Sequence, residues 1–423
     1  MIRTALCISA ALALIPVSAK AQSAPEAVAE AALEAAPVWD GHNDVPIQLR
    51  GRFGNMLAEV DFRDTRGTAT EERSAMHTDL ARLRAGRVGA QWWSVYVPAG
   101  LPEAEAVQMT LEQIDVTKRL VAAYPQDLAL ATTADEVEAA LASGRIASLI
   151  GMEGGHSIGN SLAVLRQMHA AGARYMTLAH SRTLDWVDSA TDTPRHGGLN
   201  DFGRDVVREM GRIGMLVDLS HVSEDAMMDA LDVATAPVIF SHSSARALNG
   251  HARNVPDSVL RRLPENGGIV MVTFVPGFLS EDARQWNANR AGEMARLEAL
   301  WQGQPDEVAS RIEAWDEANP LPQSSIAETA DHIEHVRAVA GVDSIGIGGD
   351  YDGIPFAPPG LEDVATYPAL FAELARRGWS RGDLEKLAMR NMMRVMRAAE
   401  AASEAQQDML PIEYRTGEAR DED

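Results

Sequence analysis

Eight short apolar or β-branched runs, each followed by a turn and a helical stretch, recur along the chain, and this alternation restricts the fold more than any other feature. The runs centre on residues 38–39, 90–97, 146–150, 174–178, 215–219, 238–240, 269–274 and 344–347, with helical patterns at 103–123, 162–171, 202–213 and 223–234 among the stretches between them. Parallel neighbouring strands need a crossover, usually a helix, so the pattern predicts an α/β protein with a parallel sheet. Eight units predict a closed (β/α)8 TIM-type barrel; a doubly wound open sheet is the alternative use of the same units. Residues 276–339 exceed what one crossover helix needs and are expected to form a helical insertion between strands seven and eight. Helices over 361–401 close the chain.

Residues 1–21 read as an export signal: Arg3 supplies positive charge, an apolar run follows over 5–17, and Ala19-Lys20-Ala21 offers a small-residue cleavage site. The run is short for a bilayer span, so the expectation is a periplasmic or secreted protein without a membrane anchor. Residues 22–423 are then expected to form a single domain with a helical C-terminal extension. Cys7, the only cysteine, lies within the signal, so a metal site in the remainder must use histidine and carboxylate ligands. A formal net charge of −23 argues against nucleic acid or an anionic membrane as partner.

Histidine and carboxylate residues collect just after the apolar runs, which in a barrel is the catalytic end. The first run leads into Asp40-Gly41-His42-Asn43-Asp44, where alternation places His42 and Asp44 on one face. The third ends at Met152-Glu153-Gly154-Gly155, the fifth at Asp218-Leu219-Ser220-His221, the sixth at Ser241-His242, and the eighth at Gly349-Asp350-Tyr351-Asp352. So many ionisable groups on one rim would be costly without a cation. Two ions suit the ligand count: His42 and Asp44 could hold one, His221 and His242 the other, with Glu153 between them. Imidazole and carboxylate without thiolate suit zinc, ahead of manganese, cobalt or iron. Lys118 and Lys386, the only lysines after residue 21, fall within helical patterns away from strand ends, leaving Glu153 as the available bridge.

His332 and His335 are expected on a solvated helix face, and His156 in a local supporting role. Gly155-His156-Ser157-Ile158-Gly159 matches the G-x-S-x-G elbow of serine hydrolases, but several residues separate it from the end of the preceding strand. A serine hydrolase using Ser157 and a non-catalytic exported metal- or solute-binding protein are the competing readings.

The motifs around His42, Glu153, His221 and His242, with Arg253-Asn254-Val255-Pro256-Asp257 and Gly349-Asp350-Tyr351-Asp352-Gly353, resemble the membrane (renal) dipeptidase family of zinc peptidases over most of the chain. The resemblance implies two Zn2+ per chain, dipeptide substrates that include some with a D-residue at the C-terminal position, substrate-binding roles for His180 and Arg253, and a proton-transfer role for Asp350. His180 and Glu153 would join Asp350 in the catalytic set. A homodimer is the expected assembly. Asp185 stands where the family has an asparagine, Gly211 replaces another, and Arg390-Asn391 replaces a Gly-Asn pair.

Overall fold

In a computed structural model that describes residues 24–71 and 73–414, the apolar runs form parallel strands. They are β1 (Val38–Asn43), β2 (Val88–Tyr96), β3 (Leu128–Leu130), β4 (Ile146–Glu153), β5 (Ala173–Thr177), β6 (Leu216–Asp218), β7 (Ile239–Phe240), β8 (Ile269–Val272) and β9 (Ile345–Ile347). The pairing runs β2-β1-β9-β8-β7-β6-β5-β4, and β2 also pairs β4, so the sheet closes on itself as the eight-stranded (β/α)8 barrel. Burial runs along nearly the whole length of β1, β2 and β4 because both faces are covered, one by the barrel interior and the other by helices.

The sequence pattern missed β3. Along one edge of β4, β3 pairs with Ile146 to Ser148 and β5 with Ile150 to Glu153, while β2 occupies the other edge. β3 is therefore an extra strand beneath β5, not a stave of the barrel.

Local chemistry sets the helix ends. Asn200 accepts from the backbone N–H of Gly203 to start the helix Asp201–Ile213, which ends at Gly214 in the left-handed region, φ 77°. Ser223 caps Glu224–Val233 in the same manner. The expected insertion lies between β8 and β9. Its helices Glu281–Leu300 and Pro305–Ala318 meet through Trp286 and Trp315, whose rings are 5.6 Å apart, and through a two-pronged Arg290–Asp316 pair. The following helix, Ile326–Ala340, is the crossover that returns to the barrel.

That helix corrects one expectation. His332 is buried: its Nδ1 accepts from the N–H of Ala245 and its Nε2 donates to the carbonyl of Leu279, 3.0 Å each. The insertion covers the face that would otherwise be wet. His335 is partly buried and pairs with Asp257 at 2.8 Å. Residues 1–21, expected to be an export signal, lie outside the described residues, and among those described no helix is long and apolar enough to cross a membrane.

Candidate metal centre

Glu153, the last residue of β4, lies at the middle of the rim and turns its two oxygens in different directions. Oε2 lies 3.4 Å from Nε2 of His42 and accepts from Ser94 Oγ at 3.1 Å. Oε1 lies 3.1 Å from Nε2 of His221, 3.5 Å from that of His242 and 3.7 Å from that of His180. Asp44 Oδ2 is 3.3 Å from Nε2 of His42, and the donor atoms of His42, Asp44 and Asp350 fall within 4.8 Å of one another. Two further groups of the same compactness are His42, Glu153 and His242, and Glu153, His180 and His221. The structure thus gathers the sequence-predicted polar set at one end of the barrel.

Backbone strain marks the same place. His221 and Asp350 adopt positive φ, 72° and 62°, a region that non-glycine residues rarely occupy and that recurs at functional sites. Gly353 closes the loop after Asp350, where an added Cβ would sit 2.2 Å from Asp44 Oδ2 and 2.6 Å from Asp350 Oδ1. Only a glycine lets this backbone pass so near two carboxylates.

The electrostatics favour a cation. Burial opposes a charge on His42, yet Tyr175, Glu153 and Asp44 around it outweigh that and hold its pKa well above the ordinary value. A positive charge is thus favoured at Nε2, which is buried without a hydrogen-bond partner, as is Asp44 Oδ1. Burial acts to raise the pKa of Glu153, but His42, His221 and His180 hold it well below the usual carboxylate range. Burial, then Arg253, keep His221 neutral, and burial, then His42 and Arg253, do so for His242, which leaves nitrogen lone pairs available as ligands. Asp350 shifts the other way: burial, reinforced by Asp44 and Glu153, raises its pKa well above the ordinary value. Oxygen and imidazole donors on both sides of one carboxylate fit divalent zinc.

Arg253 is buried, with NH1 donating to Ser243 Oγ and NH2 to the carbonyl of His242, both at 3.2 Å. Nε has no partner, and among the described residues the guanidinium makes no ion pair. Asp257, a candidate partner by sequence proximity, is engaged by His335 and Arg261 instead. The serine alternative fails on geometry. Ser157 is fully buried with no partner for its hydroxyl, and the neighbouring His156 turns Nε2 to the carbonyl of Val97.

Sequence reasoning missed Ser94, Tyr96 and Tyr175. Tyr96 packs its ring 4.9 Å from that of His180, and burial pushes its pKa up to about 12, helped by Glu153 and Asp44. The signal was the two-residue alternation of β2, which places Trp92, Ser94 and Tyr96 on one face.

The family model for membrane dipeptidase, peptidase family M19, matches residues 26–409. The chain belongs to that family. This M19 metallopeptidase is 41% identical over 383 residues to Dipeptidase 3 of Rattus norvegicus, spanning 89% of this chain and 68% of the relative. To Dipeptidase tcpJ of Claviceps purpurea (strain 20.1) it is 42% identical over 383 residues, 88% of this chain and 79% of the relative. Among solved structures, a probable dipeptidase, PvdM, from Pseudomonas aeruginosa shares the fold with a TM-score of 0.76 at 23% identity, covering 89% of this chain and 99% of that one. Dipeptidase AC, a family M19 metallopeptidase, aligns with a TM-score of 0.69 at 25% identity over 86% of this chain and 98% of that one.

Proposed function

We propose that the chain is a dinuclear zinc dipeptidase in which His42 and Asp44 hold one ion, His221 and His242 the other, and Glu153 both. The observation that carries this reading is the opposed aim of the two Glu153 oxygens, one toward His42 and the other toward His221 and His242. Bound there, zinc supplies Lewis acidity toward a carbonyl and lowers the pKa of water from about 15.7 to roughly 7.

The chain's own side chains do the rest. Arg253 takes the substrate's terminal carboxylate in its planar fork. His180, whose pKa burial and Arg253 lower, stays neutral and donates an N–H to the oxygen that gains charge as the carbonyl carbon becomes tetrahedral. Asp350, whose carboxylate lies with the donor atoms of His42 and Asp44 within 4.8 Å of one another, takes the proton from the attacking water and returns it to the departing amine. Water adds across the C–N bond, releasing two amino acids. Substrates with a D-residue at the C-terminal position belong to the proposed range, as do export with loss of residues 1–21, a single catalytic domain over 22–423 and a homodimeric assembly.

The test combines elemental analysis with turnover. The protein should carry about two zinc equivalents, hydrolyse dipeptides, lose activity to a chelator and be indifferent to a serine-directed inhibitor. Glu153→Gln should lose metal and activity together. Full activity with one tightly held ion would overturn the dinuclear reading.

A further inference from the structure

Asp218 ends β6 and is fully buried, without an ion-pair partner among the described residues. Its carboxylate is nevertheless saturated. Oδ1 accepts the N–H groups of Ser220 at 3.0 Å and Ser241 at 2.8 Å, while Oδ2 accepts the hydroxyls of Thr177 at 2.5 Å and Ser241 at 2.6 Å. On its other side, Ser241 Oγ lies 2.8 Å from Nδ1 of His242. A hydroxyl has one proton to donate. If Ser241 gives it to Asp218, the Ser241 oxygen can only accept at His242, so Nδ1 must carry the ring proton. The lone pair of His242 then lies on Nε2, which faces Glu153 at 3.5 Å and Nε2 of His221 at 2.9 Å.

We infer that Asp218 is a positioning residue that acts through Ser241 to fix His242 as the Nδ1–H tautomer, presenting Nε2 as a metal ligand. The inference rests on the metal reading above and adds a residue that touches neither ion nor substrate. Hydrogen bonding of the far ring nitrogen sets both tautomer and basicity of a coordinating histidine, and loss of such a partner typically weakens metal affinity about 10–100-fold. The surroundings hold the relay in register. Ser220 Oγ accepts the backbone N–H of His242 at 3.1 Å, so the chain leaving β6 positions the histidine that follows β7.

Thr177 provides an internal control. It donates to the same Asp218 oxygen as Ser241 but has no place on the path to His242. The experiment measures zinc release from the full-length, zinc-loaded protein into a chromogenic chelator, with total zinc by elemental analysis and thermal unfolding in excess zinc as the check on folding. Ser241→Ala and Asp218→Asn should each release one of two equivalents about 10–100-fold more readily than wild type, the other leaving at the wild-type rate. Thr177→Val should release both as wild type does.

Wild-type retention of both ions by folded Ser241→Ala would overturn the relay while leaving the metal reading intact. So would a Thr177→Val variant as leaky as Ser241→Ala, since that would make the effect a general loosening of the rim. A wild-type protein that binds no zinc would overturn the metal reading and the relay with it. Should Asp218→Asn not fold, Ser241→Ala and Thr177→Val decide the matter between them.

Discussion

The Tyr175 hydroxyl lies 3.0 Å from Nδ1 of His42, inside the barrel. Tyr175 reaches that position because Gly151 on β4 has no side chain: a Cβ there would sit 2.0 Å from the phenol ring. The relationship couples a glycine on one strand to a proposed metal ligand on another through an aromatic ring, and it separates packing from chemistry. Gly151→Ala should cost stability, about 1–3 kcal/mol as is typical of overpacked cores, and loosen metal retention as the ring is displaced. Tyr175→Phe keeps the ring and removes only the hydroxyl, so it should weaken zinc retention about tenfold or more with a much smaller change in stability. Denaturant unfolding and chelator competition on both variants measure the two effects. Equal losses of stability would show that the hydroxyl matters only for packing.

Asp350→Asn preserves shape but cannot carry a proton. Turnover should fall about 10²- to 10⁴-fold while KM stays near wild type and zinc content is unchanged. Asp352, two residues on, offers no substitute. It is buried, with Oδ1 accepting the backbone N–H of His77 at 2.8 Å, and it belongs to none of the compact donor groups. A loss below about tenfold would remove Asp350 from the proton path.

That His42, Asp44, Glu153, His221, His242 and Asp350 gather at one rim was legible in the sequence, while the places of Ser94, Tyr96 and Tyr175 beside them and the role inferred for Asp218 were not, and the difference has a physical basis. Histidines and carboxylates following apolar runs need only the rule that barrel strands end at a common rim. Ser94, Tyr96 and Tyr175 carry hydroxyls that give no such signal, and which of them look inward is fixed by register with neighbouring strands, while Asp218 ends an apolar run as Glu153 does and only its hydrogen bonds set it apart. Leu128-Ala129-Leu130 was missed because three residues are too few to show a period, and their pairing uses only the first part of β4. His332 was misplaced for a non-local reason: its wet face exists only until Leu279, over fifty positions earlier, packs against it.

Acid should destabilise the fold through a histidine remote from the rim. Burial, reinforced by Arg174, lowers the pKa of His169 from 6.5 to about 4. The unfolded chain takes up a proton as pH falls through 6.5, while the folded chain resists until about 4. Stability from this group is therefore complete above about 6.5, declines between 6.5 and 4, and levels off below. His169→Gln, which does not titrate, should flatten the fall in melting temperature across that window. An unchanged slope would place the acid sensitivity elsewhere.

On the proposed reading, Arg253 supplies the reason for stopping at dipeptides. A buried guanidinium that lacks a carboxylate partner is costly to maintain, and burial lowers its pKa to about 10 despite the nearby charges of Asp350, Glu153 and Asp218. Its neighbours Ser243 and the His242 carbonyl leave Nε unsatisfied, and Phe278 lies under the guanidinium with its ring centre 5.3 Å away. Such a fork is complete only when a carboxylate arrives. A longer peptide would put a neutral amide where the free acid belongs, so the cation would stay poorly paired and the clamp would measure length. Wild type should therefore hydrolyse a dipeptide far better than its C-terminal amide, by roughly the tenfold or more expected when a charged hydrogen bond worth about 1.5–3 kcal/mol is lost. Arg253→Met keeps much of the side chain's length and removes the fork, so kcat/KM for the acid should fall toward that for the amide. If the acid-to-amide ratio is the same in both proteins, the length limit does not come from Arg253.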